Sequence, residues 1–213
     1  MLFDFDKLQP QQRYKLLIST IVPRPIAWVV SRNAAGRLNA APFSFFNVFG
    51  EDPATVILGL GARPDGSSKD TSHNIRETKE FVVNLVSYAN AHRMIETAIE
   101  FDGSVNELAE AGLATTPSTK VAPPRITDSP VSFECTLRQT IDLEGGRTLI
   151  VGTVLAVHVR DDCVLDAARQ YIDTPKLDLI GRMHGGGWYA RLTDRFEIPR
   201  IPVADWKRRS AAE

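Results

Sequence analysis

The sequence predicts a mainly β protein: one antiparallel β-barrel with helices packed at its ends. Three observations predict it. Residues 131–144 alternate, with Val131, Phe133, Cys135, Leu137, Ile141 and Leu143 against Ser132, Glu134, Thr136, Arg138, Thr140, Asp142 and Glu144. That period of two sends apolar side chains to one face of a strand and polar ones to the other. Gly145-Gly146 follows, supplying positive φ for a hairpin turn. The return run, residues 148–159, is apolar on both sides, with Leu149, Val151, Leu155 and Val157 against Ile150, Val154 and Ala156, and is expected to lie deeper. Two such strands joined to shorter ones can close into a barrel and remove exposed edges. Long helices alternating with strands are missing, which argues against a doubly wound sheet.

The remaining elements read in chain order. Tyr14, Leu17, Ile18 and Ile21 form a helical stripe ended by Pro23 and Pro25. Apolar strand-like runs follow at 26–31, 38–46 and 55–60, the first two separated by Asn33-Ala34-Ala35-Gly36. Residues 69–79 are polar and predict a short surface helix. Residues 81–86 predict a buried strand, and Met94, Ile95, Ala98 and Ile99 the apolar face of another helix. Residues 106–130 carry Pro117, Pro123, Pro124 and Pro130 with few large apolar side chains, so a long surface excursion is expected: a lid, a dimer arm or a plain loop.

Composition narrows the function classes. The chain has 213 residues, 43% hydrophobic and 24% charged, as globular proteins do. Its net charge of −1 offers no global pull towards nucleic acid or an anionic membrane. Two cysteines are too few for a disulfide scaffold, and an acidic N-terminus is unlike a signal peptide. The expected setting is cytoplasmic, without nucleic-acid or membrane partners.

Chemistry is sparse. No G-x-S-x-G elbow, HExxH or G-x-G-x-x-G occurs, and Gly61-Ala62-Arg63-Pro64-Asp65-Gly66 lacks the lysine a P-loop needs. The four histidines lack ligand spacing, so no metal site is expected, and His158 reads as a hydrogen-bonded structural residue. Two segments stand out. In Ser67-Ser68-Lys69-Asp70-Thr71-Ser72 hydroxyls and a lysine precede a helix, where free N–H groups and the helix dipole suit a phosphate; Asp70 or Thr71 acting only as a cap is the alternative. In Asn39-Ala40-Ala41-Pro42-Phe43-Ser44-Phe45-Phe46-Asn47 small residues beside a proline admit a flat ring, Phe45 and Phe46 can wall it, and Ser44 and Asn47 can bond it; a kinked core strand is the alternative. Arg24, between prolines, is a positioned cation or a surface residue.

Together these residues resemble a known family. Arg24-Pro25-Ile26-Ala27-Trp28-Val29, residues 39–47, Lys69-Asp70-Thr71 with Asn74-Ile75, and Glu80-Phe81-Val82-Val83-Asn84 are similar, in order, to the FMN-binding split-barrel flavin reductases, which include the reductase components of two-component flavin monooxygenases. Gly181-Arg182-Met183-His184-Gly185-Gly186-Gly187-Trp188-Tyr189 resembles the family's glycine-rich segment, with His184 unusual there. The resemblance implies a six- or seven-stranded split barrel over about residues 23–189, a helical segment at 7–21 and a tail at 200–213, all within one domain. It implies a homodimer with FMN, or alternatively FAD, at the interface, NAD(P)H as hydride donor, and a flavin-dependent monooxygenase as partner. Reduction of an organic acceptor, or electron carriage without turnover, are the other implied activities. Carried over by position, Asn39, Ala41, Pro42, Ser44, Phe45, Phe46 and Asn47 hold the ring and ribityl chain, Lys69, Asp70 and Thr71 meet the phosphate, and Arg24 and Pro25 lie near the cofactor. His184 is expected either to border the open face of the flavin or to bond across the dimer. The tail is expected to dock through Trp206, leaving Lys207-Arg208-Arg209 solvated.

Overall fold

The computed structural model describes residues 1–63, 65–203 and 206. Lys207, Arg208 and Arg209 lie outside them, and Trp206 is exposed. Helix α1 (Pro10–Thr20) leads into strands β1 (Ala27–Arg32), β2 (Leu38–Phe43), β3 (Phe46–Glu51) and β4 (Ala54–Leu60). Helix α2 (Asp70–Thr78), strand β5 (Glu80–Leu85) and helices α3 (Ala91–Glu96) and α4 (Glu107–Glu110) follow. Short strands β6 (Thr115–Thr116) and β7 (Arg125–Ile126) precede the long hairpin β8 (Val131–Leu143) and β9 (Arg147–Val159). Two further small hairpins follow, β10 (Val164–Asp166) with β11 (Tyr171–Ile172) and β12 (Ile180–Arg182) with β13 (Tyr189–Arg191).

Seven strands form one antiparallel sheet in the order β2-β1-β5-β8-β9-β4-β3. Its two end strands, β2 and β3, are consecutive in the chain and joined only by Ser44 and Phe45. The sheet therefore curls until its edges meet through a corner rather than a ladder, which is the split barrel the resemblance implies. The predicted single run at 38–46 is accordingly two strands. At the β8–β9 turn, Gly145 and Gly146 have φ of 76° and 77°, where side chains other than glycine are strained.

Alternation along β1 and β5 divides the core. Ala27, Val29, Phe81 and Val83 face the barrel interior with Leu58, Cys135 and Ile150. Trp28, Val30 and Val82 face outward, yet they are buried, because Met94, Leu108, Leu113, Val121 and Ile126 cover them. Residues 106–130 are thus a packed cover rather than a loose excursion. Single aliphatic side chains spaced along the segment, not long apolar runs, make that cover, so composition hid it. Gly152 on β9 shows how tight the interior is: a Cβ there would come within 2.5 Å of the Phe81 ring.

The same cover changes the polar face of β8. Ser132 and Glu134 are buried beneath it, and Glu134 accepts hydrogen bonds from Thr119 N (2.8 Å) and Lys120 N (2.5 Å). His158 Nε2 meets Glu134 Oε1 at 2.5 Å, so the structural reading of that histidine holds. Strand β9 is not deeper on both faces: Ile150 is buried, but Leu155 and Val157 are exposed. The helix at 69–79 is not a plain surface helix either, since Thr71, Ser72, Asn74 and Ile75 are buried. Helix α3 ends at Glu96, earlier than the stripe predicted, and buries Met94 while Ile95 and Ile99 remain exposed. Of the α1 stripe only Ile18 is buried. Among the described residues no helix is long and apolar enough to cross a membrane.

Candidate functional site

Strand β2 presents alternate residues to a cleft whose far wall is the start of α2. Asn39, Ala41, Pro42, Lys69, Asp70 and Thr71, six of the predicted site residues, all line it. Ile99, Phe101 and Glu107 close its sides. Lys69 occupies the N-cap position of α2 with extended backbone, and its side chain makes no capping bond. The first-turn N–H groups, which have no partner inside a helix, are therefore left to solvent or a ligand. A helix start of this kind, with the positive end of the dipole, favours an anion.

The charges are arranged in layers. Arg63 Nη2 contacts Asp70 Oδ2 at 2.5 Å, so that acid is matched by its own cation. Lys69 Nζ lies 3.8 Å from Glu100 Oε1, a loose contact between partly exposed groups. Thr71 Oγ1 is 2.9 Å from the Asn39 amide, which lies against the buried carboxylate of Glu107. Desolvation pushes the Glu107 carboxyl above the ordinary glutamate range. Neither Arg63 nor Glu107 is among the sequence-predicted site residues. Arg63 sits in the segment set aside for its failed P-loop spacing, and Glu107 in the stretch read as loose, so neither carried a motif signal.

The other predicted residues gather at a second concavity, around the β2–β3 corner. Arg24, Pro25, Ser44, Phe45, Phe46 and Asn47 line it with Leu17 and Ile21 of the α1 end. Arg24 is buried and is not a surface residue. Its Nη1 donates to the carbonyls of Ile18 (2.7 Å) and Ile21 (2.9 Å), its Nη2 to that of Met183 (2.7 Å), and its Nε approaches Ser44 Oγ at 3.4 Å. The guanidinium thus ties the end of α1 to the β12 edge, and burial lowers its pKa below the ordinary arginine value. Phe45 is also engaged, with the Arg147 guanidinium 4.6 Å from its ring centroid and Tyr14 at 6.3 Å. Asn47 Oδ1 accepts from Val48 N at 2.8 Å. His184 lies in the β12–β13 turn, exposed, edge-on to Trp188, and lines neither concavity.

A phosphate ester fits the first cleft: an uncapped helix start, an ammonium and a hydroxyl converge there, with apolar walls from Ala41, Pro42 and Phe43. A flat ring fits the corner, where Ser44, Phe46 and Asn47 combine apolar surface with polar edges.

Comparison with known proteins points the same way. A family model described as a flavin reductase like domain matches residues 19–175. An uncharacterized protein of Deinococcus radiodurans is 42% identical over 210 residues, covering 96% of this chain and 92% of its own. The crystal structure of 2-nitrobenzoate 2-nitroreductase from Pseudomonas fluorescens superposes with a TM-score of 0.86 at 35% identity, over 95% of this chain and 97% of that one. Nitrilotriacetate monooxygenase component B from Bacillus cereus does so with a TM-score of 0.86 at 30% identity, over 93% and 98%.

Proposed function

The chain belongs to the flavin reductase like family, and from that membership we propose that it is an FMN-binding NAD(P)H:flavin oxidoreductase of the cytoplasm that supplies reduced flavin to a partner monooxygenase. The observation that carries this reading is the convergence of Asn39, Ala41, Pro42, Lys69, Asp70 and Thr71, two distant stretches of sequence, on one cleft at an uncapped helix start. The likeness to a monooxygenase component B supports the partner.

When bound, the flavin supplies the hydride chemistry. The protein's share is binding and orientation. Lys69 and the first N–H groups of α2 neutralise the phosphate, with Thr71 beside them. Ala41 and Pro42 let the backbone approach the cofactor closely, while Ser44, Phe46 and Asn47 fix the ring at the corner. Arg24 acts on the site through others: it holds the α1 end and the Met183 carbonyl, and so shapes the wall beside Ser44. His184, on its glycine-rich turn, is the candidate contact for the dinucleotide.

A homodimer completes the site in this reading. Phe46, Val48, Phe49, Leu85, Val154 and Val157 line an apolar groove of about 800 Å³ on the barrel's outside, next to the corner. Apolar surface of that extent is where a second copy would pack.

A second reading has its own support: the likeness to a 2-nitrobenzoate 2-nitroreductase favours direct reduction of an organic acceptor by bound FMN. Anaerobic mixing of the FMN-loaded protein with NADH or NADPH tests both. Rapid loss of the flavin's visible absorbance is expected with at least one donor. No loss with either rejects both enzymes in favour of an electron carrier. Excess free FMN or FAD as acceptor then supports the first reading, and turnover only with a nitroaromatic acceptor supports the second.

A further inference from the structure

Between α4 and the start of α2 runs a buried hydrogen-bond chain that closes in two ways. Glu107 Oε2 accepts from Ala40 N at 3.1 Å, and the Asn39 amide bridges from Glu107 to Thr71. In one arrangement Asn39 Nδ2 donates to Thr71 Oγ1 at 2.9 Å, leaving the amide oxygen facing the Glu107 carboxyl and the amide nitrogen 3.2 Å from Ala40 N, whose own proton goes to Glu107 Oε2. Two acceptors then oppose each other unless the carboxyl carries a proton and donates it. With the amide turned over, its nitrogen donates to Glu107 Oε1 at 3.2 Å and its oxygen accepts from Thr71 Oγ1 at 2.9 Å and Ala40 N at 3.2 Å, which suits an ionised carboxylate. All three residues are buried, so water cannot complete a mismatched chain cheaply.

We propose that Glu107 is a positioning residue of the cleft: its protonation sets the direction of the Glu107–Asn39–Thr71 chain, and so decides whether Thr71 offers an anion its O–H or a lone pair. Protonated Glu107 donates to Asn39, Asn39 donates to Thr71, and the Thr71 hydroxyl proton is free to point into the cleft. Ionised Glu107 draws the amide N–H, and Thr71 then donates inward and turns its lone pairs outward. The inference rests on the proposed seating of the flavin phosphate at the start of α2.

The groups around the carboxyl raise its pKa above the ordinary glutamate value. Burial disfavours the Glu107 carboxylate and outweighs the hydrogen bonds from its own N–H and that of Ala40, which favour it; Asp70 on α2 adds to the burial effect, and Arg63 from the β4–α2 connection opposes it. Lys69 and Glu100 face the same cleft. By linkage, an anion that uses the Thr71 O–H stabilises protonated Glu107, so its binding takes up a proton and weakens as the pH rises through the titration of Glu107.

The test compares FMN with riboflavin, the same ring without phosphate, binding to the wild-type and Glu107→Gln proteins from mildly acidic to neutral pH. Glutamine accepts from Ala40 and donates to Asn39, so it holds the donor arrangement at every pH. The ratio of FMN affinities of the two proteins cancels the phosphate's own ionisation. That ratio is expected to move against the wild type by about tenfold as pH rises, roughly the worth of one charge-assisted hydrogen bond. Riboflavin is expected to show no such movement, and calorimetry to record extra proton uptake in the wild type. Superimposable FMN curves, with FMN outbinding riboflavin in both proteins, overturn the role of Glu107 alone. FMN binding no tighter than riboflavin in either protein removes the phosphate seat, and this inference with it. Thr71→Val guards against a Glu107→Gln protein that does not fold: the excess pH dependence must vanish in it, and its persistence overturns the proposal.

Discussion

Two cations near the site have opposite fates. Arg24 is buried with its donors on the carbonyls of Ile18, Ile21 and Met183, so it is a brace. Lys69 keeps about a third of its side chain exposed and, among the described residues, has one ionic contact, with Glu100 at 3.8 Å, so it is available to a ligand. Lys69→Ala is therefore expected to weaken FMN by about 1.5 kcal/mol, the low end for a charge-assisted bond, because the ammonium is partly solvated. Riboflavin affinity should stay the same. Titration of both flavins by fluorescence checks this, and an equal loss for both would take Lys69 off the phosphate. Cys135 needs no functional reading: burial pushes its thiol well above the ordinary range, where it packs as a small apolar residue. At this scale Lys69, Thr71 and Asn39 stood out in the sequence because they fall in short segments with distinctive chemistry, and the fold brings them to one cleft. The engagement of Arg24 was not, because its partners lie as far off as Met183.

Among the elements, the cover formed by residues 106–130 is tied to β8 by a buried acid. Glu134 holds the backbone of Thr119 and Lys120 and the ring of His158. Burial alone would raise its pKa, but those hydrogen bonds prevail and hold the carboxyl below the ordinary glutamate value. A carboxyl so lowered stabilises the fold above its unfolded pKa, about 4.3, and that stability is lost as the pH falls through the folded value. Glu134→Gln turns an amide nitrogen towards a backbone donor and is expected to cost roughly 1–3 kcal/mol at neutral pH. Denaturant unfolding should show this cost shrinking as the pH is lowered, and hydrogen exchange should place the loosening in residues 106–130. A cost that is constant with pH would mean that Glu134 acts by packing alone. The strand itself was legible from its alternation. The burial of its polar face was not, because the covering aliphatic side chains are scattered singly along the segment.

For the molecule as a whole, the unexplained feature of a lone chain is the apolar outside of the barrel. Val48, Phe49 and Val157 are exposed there together, beside the corner where the ring is proposed to sit. Sedimentation is expected to show a dimer for the wild type. Val157→Asp, which sets a charge in that groove, should shift it to monomer and weaken FMN together. A wild-type monomer that binds FMN fully would refute the shared site. By itself the sequence determined strands β1, β4 and β5, the β8–β9 hairpin and the start of α2, because alternation, glycine turns and helix starts are local properties of the backbone. Only the tertiary structure decided which face of β9 is covered, that Glu107 and Glu134 are buried acids, and that Arg24 is spent on backbone carbonyls while Lys69 has one loose contact with Glu100. Those outcomes depend on desolvation and on partners brought from distant parts of the chain, which no local pattern encodes.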